Sequence, residues 1–399
     1  MAALNSHLGV NFPRGFKSAG VYCGIKKPGL LDLALIVSET EASVAGVFTT
    51  NRVCAAPVRW SRQVVAGGRA RAIIVNSGNA NCLTGEQGER DAQRMAELVA
   101  QRLNCEPTQV VVASSGVIGV PLPMNAIESG VGLLFERLSD GDDRTTADAI
   151  LTTDNASKRA SLEVATPAGP VRLGAIAKGA GMIAPNMATM LAFITTDALI
   201  CPEYLHLCLK RVVDRTFNRI TVDGDTSTND MVVALANGAS GVEVSGESLQ
   251  AFEAGLYEVC EYLAKRIVKD GEGASRIFEV RVSGAVDDDA ALQIARTIAE
   301  SLLVKTAIHG GDPNWGRIIA AAGRAGVPID VNRAELSLQG VPVFKNGQPA
   351  DYDERALAEK MLTDEVTITL ELHAGEGNAR FWSSDLTAEY VKINAHYRT

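Results

Sequence analysis

Three short strings of small and polar residues follow predicted strands, where backbone amides and side chains can act on a ligand. They are NSGNAN (76–81), SSGVIG (114–119) and KGAGMIAPNMATML (178–191). The successive small residues of SSGVIG expose backbone N–H groups, which could line a site for an anion or an oxyanion. Lys178 stands beside glycines and could pair with a ligand carboxylate, although such a lysine is more often a solvated surface group. Each string taken alone is more typical of a turn.

Two further strings are similar to ligand-binding motifs but depart from them. GAGMIA (179–184) has the GxGxxA spacing of a dinucleotide-binding loop, but Pro185 follows at once and disfavours the helix that this motif must open. DGDTSTND (223–230) begins like a calcium loop, but Thr228 stands where that loop needs glycine and Ala234 where it needs an acid. We therefore predict neither a dinucleotide site nor a metal site.

The common hydrolase, phosphate-loop and zinc signatures are absent from the sequence. There is no GxSxG elbow, no GxxxxGK[ST] loop and no HExxH. A Ser–His–Asp triad assembled in space stays open, because such triads have no fixed spacing along a chain. The histidines available to it are dispersed: His7, His206, His309, His373 and His396.

Composition excludes several classes of protein. The 399 residues can bury a large core and predict roughly two or three domains. A net charge of −9 argues against nucleic acid or an anionic membrane as the main partner. Seven scattered cysteines without a CxxC pair fit a reducing compartment. With no secretory signal and no run of 18 apolar residues, we predict a soluble, cytoplasmic protein.

Periodicity predicts helices and strands that mix without a strict βαβ rhythm, which favours an α+β class. The predicted helices are 91–104, 202–214, 247–268, 288–303 and 354–362. The predicted strands are 31–37, 71–76, 109–113, 171–177, 190–196, 231–235, 276–283, 366–372 and 387–394. Composition predicts a linker at residues 137–149 and a second, weaker domain boundary near 284–289.

Nine strings, taken together and in order, resemble the ornithine acetyltransferase family, also called the bifunctional glutamate N-acetyltransferase family of arginine biosynthesis. The resemblance covers nearly the whole chain. The strings are GIKKPGLLDLALI (24–36), FTTNRVCAAPV (48–58), NSGNAN, SSGVIG, KGAGMIAPNMATML, TFNRITVDGDTSTND (216–230), DGEGA (270–274), GDPNWGR (311–317) and YVKINAHYRT (390–399).

The resemblance implies a self-cleaving enzyme with an N-terminal nucleophile. The precursor would cut itself between Ala188 and Thr189, giving an alpha chain (1–188) and a beta chain (189–399). Thr189 would then supply both the nucleophilic hydroxyl and the base. A threonine hydroxyl needs a base, and a freed α-amino group has a pKa of about 7.7–8.0, close to working pH. This chemistry needs no histidine.

The same resemblance implies the other site residues. Ser115 and the Gly116 N–H would form the oxyanion hole, with Ser115 standing where the family usually has threonine. From their charges, our hypothesis is that Lys178 pairs with the α-carboxylate of N-acetylornithine and Glu272 with its distal ammonium. Thr153 is as plausible a substrate contact as its neighbour Thr152. The implied substrate-binding residues are Thr152, Lys178, Thr189, Glu272, Asn394 and Thr399.

The implied activity is that of an acyltransferase that moves an acetyl group from N-acetylornithine to glutamate through acetyl-Thr189. No metal and no cofactor is implied, although acetyl-CoA could serve as a second donor. The implied fold is an α+β layered sandwich with β-sheets between helices, plus a smaller C-terminal α/β domain. The implied assembly is an α2β2 heterotetramer. The alternatives are a self-processing amidase or aminopeptidase that uses water, an NAD-dependent oxidoreductase, and a non-catalytic binding module.

Overall fold

Two β-sheets and the helices packed on them make up the fold in the computed structural model, which describes residues 3–184 and 190–396. The helices of these ranges are α1 (Ala56–Ala66), α2 (Gly85–Leu103), α3 (Met124–Arg137), α4 (Arg144–Ala149), α5 (Pro202–Arg215), α6 (Glu247–Lys269), α7 (Asp288–Ala299), α8 (Leu302–Gly310), α9 (Trp315–Gly323), α10 (Glu354–Met361) and α11 (Ala388–His396). The strands are β1 (Phe16–Val21), β2 (Leu33–Phe48), β3 (Arg69–Asn79), β4 (Val110–Val117), β5 (Lys158–Thr166), β6 (Gly169–Lys178), β7 (Leu191–Thr196), β8 (Ile220–Thr221), β9 (Met231–Ala236), β10 (Ile277–Ala285), β11 (Glu335–Leu338), β12 (Val341–Lys345), β13 (Gln348–Pro349), β14 (Glu365–Glu371) and β15 (Gly377–Ser384).

The first sheet has the strand order β4-β3-β2-β9-β7-β6-β5, with β1 paired to β2. Its interior strand β7 is buried on both faces, and side chains alternate between the faces along a strand. Ala192 and Ile194 belong to the apolar core formed with α5 and α6. Leu191 and Phe193 belong to the core on the other face. The first sheet therefore lies between two apolar layers, as a sandwich with sheets between helices requires.

The second sheet has the order β13-β12-β11-β14-β10-β15-β8 and a core of its own. In β14 the predicted alternation is found, with Val366, Ile368 and Leu370 fully buried. β10 and β14 run parallel, and helices α7, α9 and α10 supply apolar side chains to the same core. The predicted α+β class, with a smaller C-terminal α/β unit, is confirmed.

The two-residue strand β8 pairs with β15 in the second sheet before the chain returns to the first sheet at β9. The chain then passes to the rest of the second sheet between the end of α6 and the start of β10. Residues 284–289, where the sequence suggests a break, span the end of β10, the two residues after it and the start of α7. Because nothing in the fold tests the division into 1–188 and 189–399, that division stays a prediction. Within the described ranges, no helix is both long enough and apolar enough to cross a membrane.

The C-terminal segment differs from its prediction. Residues 387–394 are predicted as a strand, but 388–394 belong to helix α11 and Thr387 directly precedes it. The Tyr-Val-Lys-Ile letters favour a strand. However, the Thr387 hydroxyl accepts a hydrogen bond from the Glu389 N–H (3.1 Å), which satisfies a donor at the start of the helix. The helix places Tyr390 and Asn394 one turn apart on the same face.

Two other predicted segments also differ. Residues 288–303, predicted as one helix, are divided between α7 and α8. Ser301 lies between them in an extended conformation, and serine favours the position before a helix. The predicted linker 137–149 contains helix α4, which buries Thr146 and Ala147 and packs on β1. The linker prediction was wrong for this part because the segment is polar and acidic. The residues that α4 buries are small and give no clear apolar pattern in the sequence.

Candidate active site

A cavity of about 250 Å³ lies where strands β4 and β6 end, beside the loops at 223–229 and 270–274 and beside α11. Both strands belong to the first sheet, β4 at its edge and β6 five positions along the strand order, so the cavity collects residues from distant parts of the chain. The cavity is lined by six of the residues implied by the resemblance: Ser115, Gly116, Thr152, Lys178, Glu272 and Asn394. Ala188, Thr189 and Thr399 lie outside the described residues.

The end of β4 is held backbone to backbone against β3. Gly116 has a φ of +136°, and a Cβ there would lie 2.3 Å from the carbonyl carbon of Gly78. No other residue type fits this close approach. Ser115 is 4% exposed and pairs with the end of β3. The two residues expected to donate to an oxyanion are therefore held by a rigid strand end.

Residues of the NSGNAN string are hydrogen-bonded to this strand end and to one another. The Ser114 hydroxyl donates to Asn76 Oδ1 (2.5 Å), and Asn76 Nδ2 donates to the Asn79 carbonyl (2.8 Å). Asn229 Nδ2 donates to the carbonyls of Ala80 (2.7 Å) and Ser114 (2.9 Å). These buried amides satisfy backbone groups that the turns leave unpaired. The string thus positions the cavity wall.

Lys178 ends strand β6 with its side chain inside the protein, at 2% exposed. Its Nζ donates to Thr152 Oγ1 at 3.0 Å. Burial lowers the pKa of Lys178, and the negative charges of Asp154, Asp230 and Glu272 oppose that shift. A buried ammonium with spare donors is suited to bind a carboxylate. Of the two candidate threonines, Thr152 is the one joined to Lys178, although Thr153 also lines the cavity.

Glu272 faces the cavity from the loop that follows α6, and it is 7% exposed. Its N–H donates to the Ala180 carbonyl (2.9 Å), and its Oε2 accepts a hydrogen bond from Asn394 Nδ2 (2.8 Å). A Cβ on Gly181 would lie 2.5 Å from this carboxylate. Glycine at 181 therefore makes room for Glu272, and α11 holds the carboxylate through Asn394.

Asp223 and Tyr390 also line the cavity, and the sequence reading gave neither of them a role. The Asp223 carboxylate accepts hydrogen bonds from the N–H groups of Met182 (2.6 Å) and Ile183 (2.8 Å). The Tyr390 hydroxyl donates to Asp223 Oδ2 at 3.3 Å. Burial raises the pKa of Asp223 and that of Tyr390. The acid-rich DGDTSTND string could have indicated Asp223 from the sequence. Nothing in the sequence indicated that Tyr390 lies on a helix beside it.

Asp230 lies beside the chain segment that begins β7. Its Oδ1 accepts a hydrogen bond from the Met190 N–H (2.9 Å), and its side chain is buried. Its Oδ2 has no hydrogen-bond partner among residues 3–184 and 190–396. Burial raises the pKa of this carboxyl well above its ordinary value. Asp230 therefore fixes the residue that directly follows Thr189 in the sequence.

The alternative motifs do not form sites in the described chain. No helix lies within residues 179–184. No group of three or more His, Cys, Asp and Glu side chains in the described ranges could hold a metal ion. Ser275, His309 and Asp385 do cluster, but both Ser275 Oγ (3.3 Å) and Asp385 Oδ2 (2.9 Å) contact the same nitrogen, His309 Nδ1. A catalytic triad uses both ring nitrogens, so this cluster is not one.

Comparison with known proteins gives consistent matches. A family model described as the ArgJ family matches residues 17–399. The arginine biosynthesis bifunctional protein ArgJ of Thermosynechococcus vestitus is 48% identical over 410 residues, which cover 98% of each chain.

Two solved structures were also compared. A crystal structure of arginine biosynthesis bifunctional protein ArgJ from Bacillus halodurans is 42% identical with a TM-score of 0.50, covering 51% of this chain and 98% of that one. The ornithine acetyltransferase of Mycobacterium tuberculosis, solved in complex with ornithine, is 43% identical with a TM-score of 0.43, covering 46% of this chain and 97% of that one.

Proposed function

Because this chain belongs to the ArgJ family, we propose that it is an acetyltransferase of arginine biosynthesis. It moves an acetyl group from N-acetylornithine to glutamate and gives ornithine and N-acetylglutamate. The family resemblance predicted from the nine strings is confirmed by the match over residues 17–399. The observation that carries the activity is that six residues implied by the resemblance line one cavity.

The charges of the cavity suit an amino acid with a second charged end. Lys178 pairs with the α-carboxylate, and Glu272 pairs with the distal ammonium, each through a charge-assisted hydrogen bond. Ser115 and the Gly116 N–H donate to the acetyl oxygen as it becomes negative. Asn394 keeps the Glu272 carboxylate in place by its hydrogen bond to Oε2 (2.8 Å).

Thr189 is the nucleophile of this proposal. Its hydroxyl attacks the acetyl carbonyl while its own α-amino group takes the proton, and ornithine leaves with that proton. The α-amino group of glutamate then attacks acetyl-Thr189, which releases N-acetylglutamate and restores the free hydroxyl. The hydrogen bond from Met190 to Asp230 supports this role, because it fixes the residue bonded to Thr189.

Self-cleavage between Ala188 and Thr189 frees the α-amino group that acts as the base. The solved chain from B. halodurans is about half as long as this one, which is the length expected of a fragment of a protein cut near its middle. We propose that the alpha and beta chains stay associated and assemble as α2β2. The reaction needs no metal or cofactor in this proposal, acetyl-CoA is a candidate second donor, and the cytoplasm is the proposed location.

Intact mass and substrate consumption test the proposal together. The wild type is expected to give two fragments, each about half the mass of the chain, whereas Thr189→Ala is expected to stay whole and inactive. Consumption of N-acetylornithine is expected to require glutamate and to produce N-acetylglutamate. A single uncut mass in active protein would overturn the mechanism. Consumption at the same rate without glutamate would assign the protein to the amidase alternative, and acetyl-CoA is tested as donor in the same assay.

A further inference from the structure

A buried ion cluster joins two of the chain segments that line the cavity. Lys158, the first residue of β5, donates to Asp154 Oδ1 and to Asp270 Oδ2, both at 2.6 Å. The side chains of Lys158, Asp154 and Asp270 are 1%, 0% and 14% exposed. These three described residues, here named the Lys158 ion cluster, do not line the cavity themselves. Their positions are nonetheless tied to residues that do.

Asp154 connects the cluster to Lys178. Its Oδ1 accepts a hydrogen bond from the Gly179 N–H (2.6 Å), and its Oδ2 accepts one from the Thr152 N–H (3.1 Å). Gly179 follows Lys178 in the chain, and Thr152 accepts the hydrogen bond from the Lys178 ammonium (3.0 Å). The Asp154 carboxylate therefore fixes the backbone on both sides of the Lys178–Thr152 contact.

Asp270 connects the cluster to Glu272. Asp270 directly follows α6 and stands two residues before Glu272. Its carboxylate accepts hydrogen bonds from the N–H (3.1 Å) and the Nδ2 (3.1 Å) of Asn155, the residue next to Asp154. The loop that carries Glu272 is thus held to the loop that carries Thr152.

Charge and burial make this connection rigid. A buried ammonium is costly unless it is paired with good geometry, so Lys158 keeps both carboxylates at hydrogen-bond distance. The charges of Lys158 and Lys178 overcome the effect of burial and hold the pKa of Asp154 at about 2. Asp154 consequently stays ionised at all working pH values. The spacing between the two loops cannot change without breaking one of these ion pairs.

We propose that the Lys158 ion cluster sets the separation between Lys178 and Glu272, and thereby the length of the diamino acid that the site accepts. The proposal rests on the proposed function, because it takes Lys178 and Glu272 to bind the two ends of N-acetylornithine. The three residues are positioning residues, since they act through Lys178 and Glu272. Their specific role is to favour ornithine over homologues that are one methylene longer or shorter.

The test is the ratio of kcat/KM for N-acetylornithine to that for Nα-acetyllysine, whose side chain has one more methylene. A rigid site is expected to prefer ornithine by about tenfold or more, which is the usual worth of one methylene. Asp270→Asn keeps the size of the side chain and leaves the Lys158–Asp154 pair intact, so it is expected to fold. We expect it to reduce the preference severalfold, mainly through KM for N-acetylornithine.

The control is Asp364→Asn, which breaks the exposed Lys269–Asp364 pair (2.8 Å) beside the same loop. It is expected to leave the preference at the wild-type value. A folded Asp270→Asn protein with the wild-type ratio would overturn the proposal, and so would equal loss on both substrates. If Asp270→Asn does not fold, the same ratio of kcat/KM is measured for Asp154→Asn, with the same expected and contradicting results. A wild type without any acetyl transfer would instead contradict the proposed function, so the two failures are distinguishable.

Discussion

At the scale of single residues, the charge of Lys178 depends on its neighbours. The charged groups that face it are Asp154, Lys158, Asp230, Glu272 and Lys26. Burial lowers the pKa of Lys178, so the protonated form, which is the form proposed to bind the substrate carboxylate, is lost as pH rises through a value below that of an ordinary lysine. We expect kcat/KM for N-acetylornithine to fall on the alkaline side at such a pH.

The negative charge of Asp154 opposes the lowering of the Lys178 pKa, so removing that charge tests the cause of the shift. Asp154→Asn is expected to lower the pKa of Lys178 further and to move the alkaline limb of the pH profile of kcat/KM to lower pH. Asp364→Asn changes an exposed pair that is not among the charges acting on Lys178, so it is the control and is expected to leave the limb in place. A limb that moves to higher pH in Asp154→Asn would contradict the account of Lys178.

Gly116 provides a prediction about the oxyanion hole. A Cβ at this position would meet the backbone of Gly78 at 2.3 Å, so Gly116→Ala must displace the end of β4. Loss of one oxyanion donor lowers kcat by about a hundredfold to a thousandfold, and we expect a decrease of that size. Gly119→Ala is the matched control, because Gly119 also has a positive φ (+81°) but nothing lies within 4 Å of its added Cβ. If both variants lose kcat equally, backbone strain and not the donor explains the effect.

At the scale of elements, helix α11 is a wall of the cavity that contributes no buried residue to a core. Lys392 is exposed in the middle of α11, and proline there removes an interior hydrogen bond and breaks the helix. We expect Lys392→Pro to lower kcat/KM by about tenfold or more, because Asn394 and Tyr390 no longer hold Glu272 and Asp223. The melting temperature is expected to change little. Lys392→Ala is the control, and equal activity of the two variants would show that α11 has no part in the site.

The helices and strands also show which parts of the fold could be predicted from the sequence. Long periodic segments such as α5 and α6 and the alternating strand β14 follow from their apolar pattern alone. Helix α11 does not, because its residues have the composition of a strand and its position is set by contacts with distant loops. Those contacts, such as Tyr390 to Asp223, join residues far apart in the chain and have no local signal.

The site followed from the sequence only in part, for a related reason. Each of its strings, taken alone, predicts only a turn. The resemblance to a family was needed to predict that Ser115, Lys178 and Glu272 belong to one site. The Lys158 ion cluster was not visible in the sequence at all. Its three members carry ordinary surface residue types, and only the packing of β5 against the end of α6 buries them.

At the scale of the whole molecule, the proposed cut falls in the sequence between β6 and β7, two strands that pair in the first sheet. Strands β7 and β9 of the beta chain lie between β2 and β6 of the alpha chain, in the order β2-β9-β7-β6. The pairs β2–β9 and β6–β7 would therefore hold the two fragments together through backbone hydrogen bonds. The same strands bury apolar side chains on both faces of the sheet. Separation of the fragments would require the core to open.

This topology predicts that the two fragments of the proposed cleavage stay together in high salt. The alpha chain has a net charge of +2 and the beta chain −11, so a charge attraction between them exists but is a minor contribution. At about 1 M NaCl the Debye length is about 3 Å, and exposed charges are screened, whereas apolar burial is not weakened. We expect both fragments to elute as one species in size-exclusion chromatography at low and at high salt, and to separate only in denaturant. Separation by salt alone would mean that charge, and not the shared sheet, holds the cleaved enzyme together.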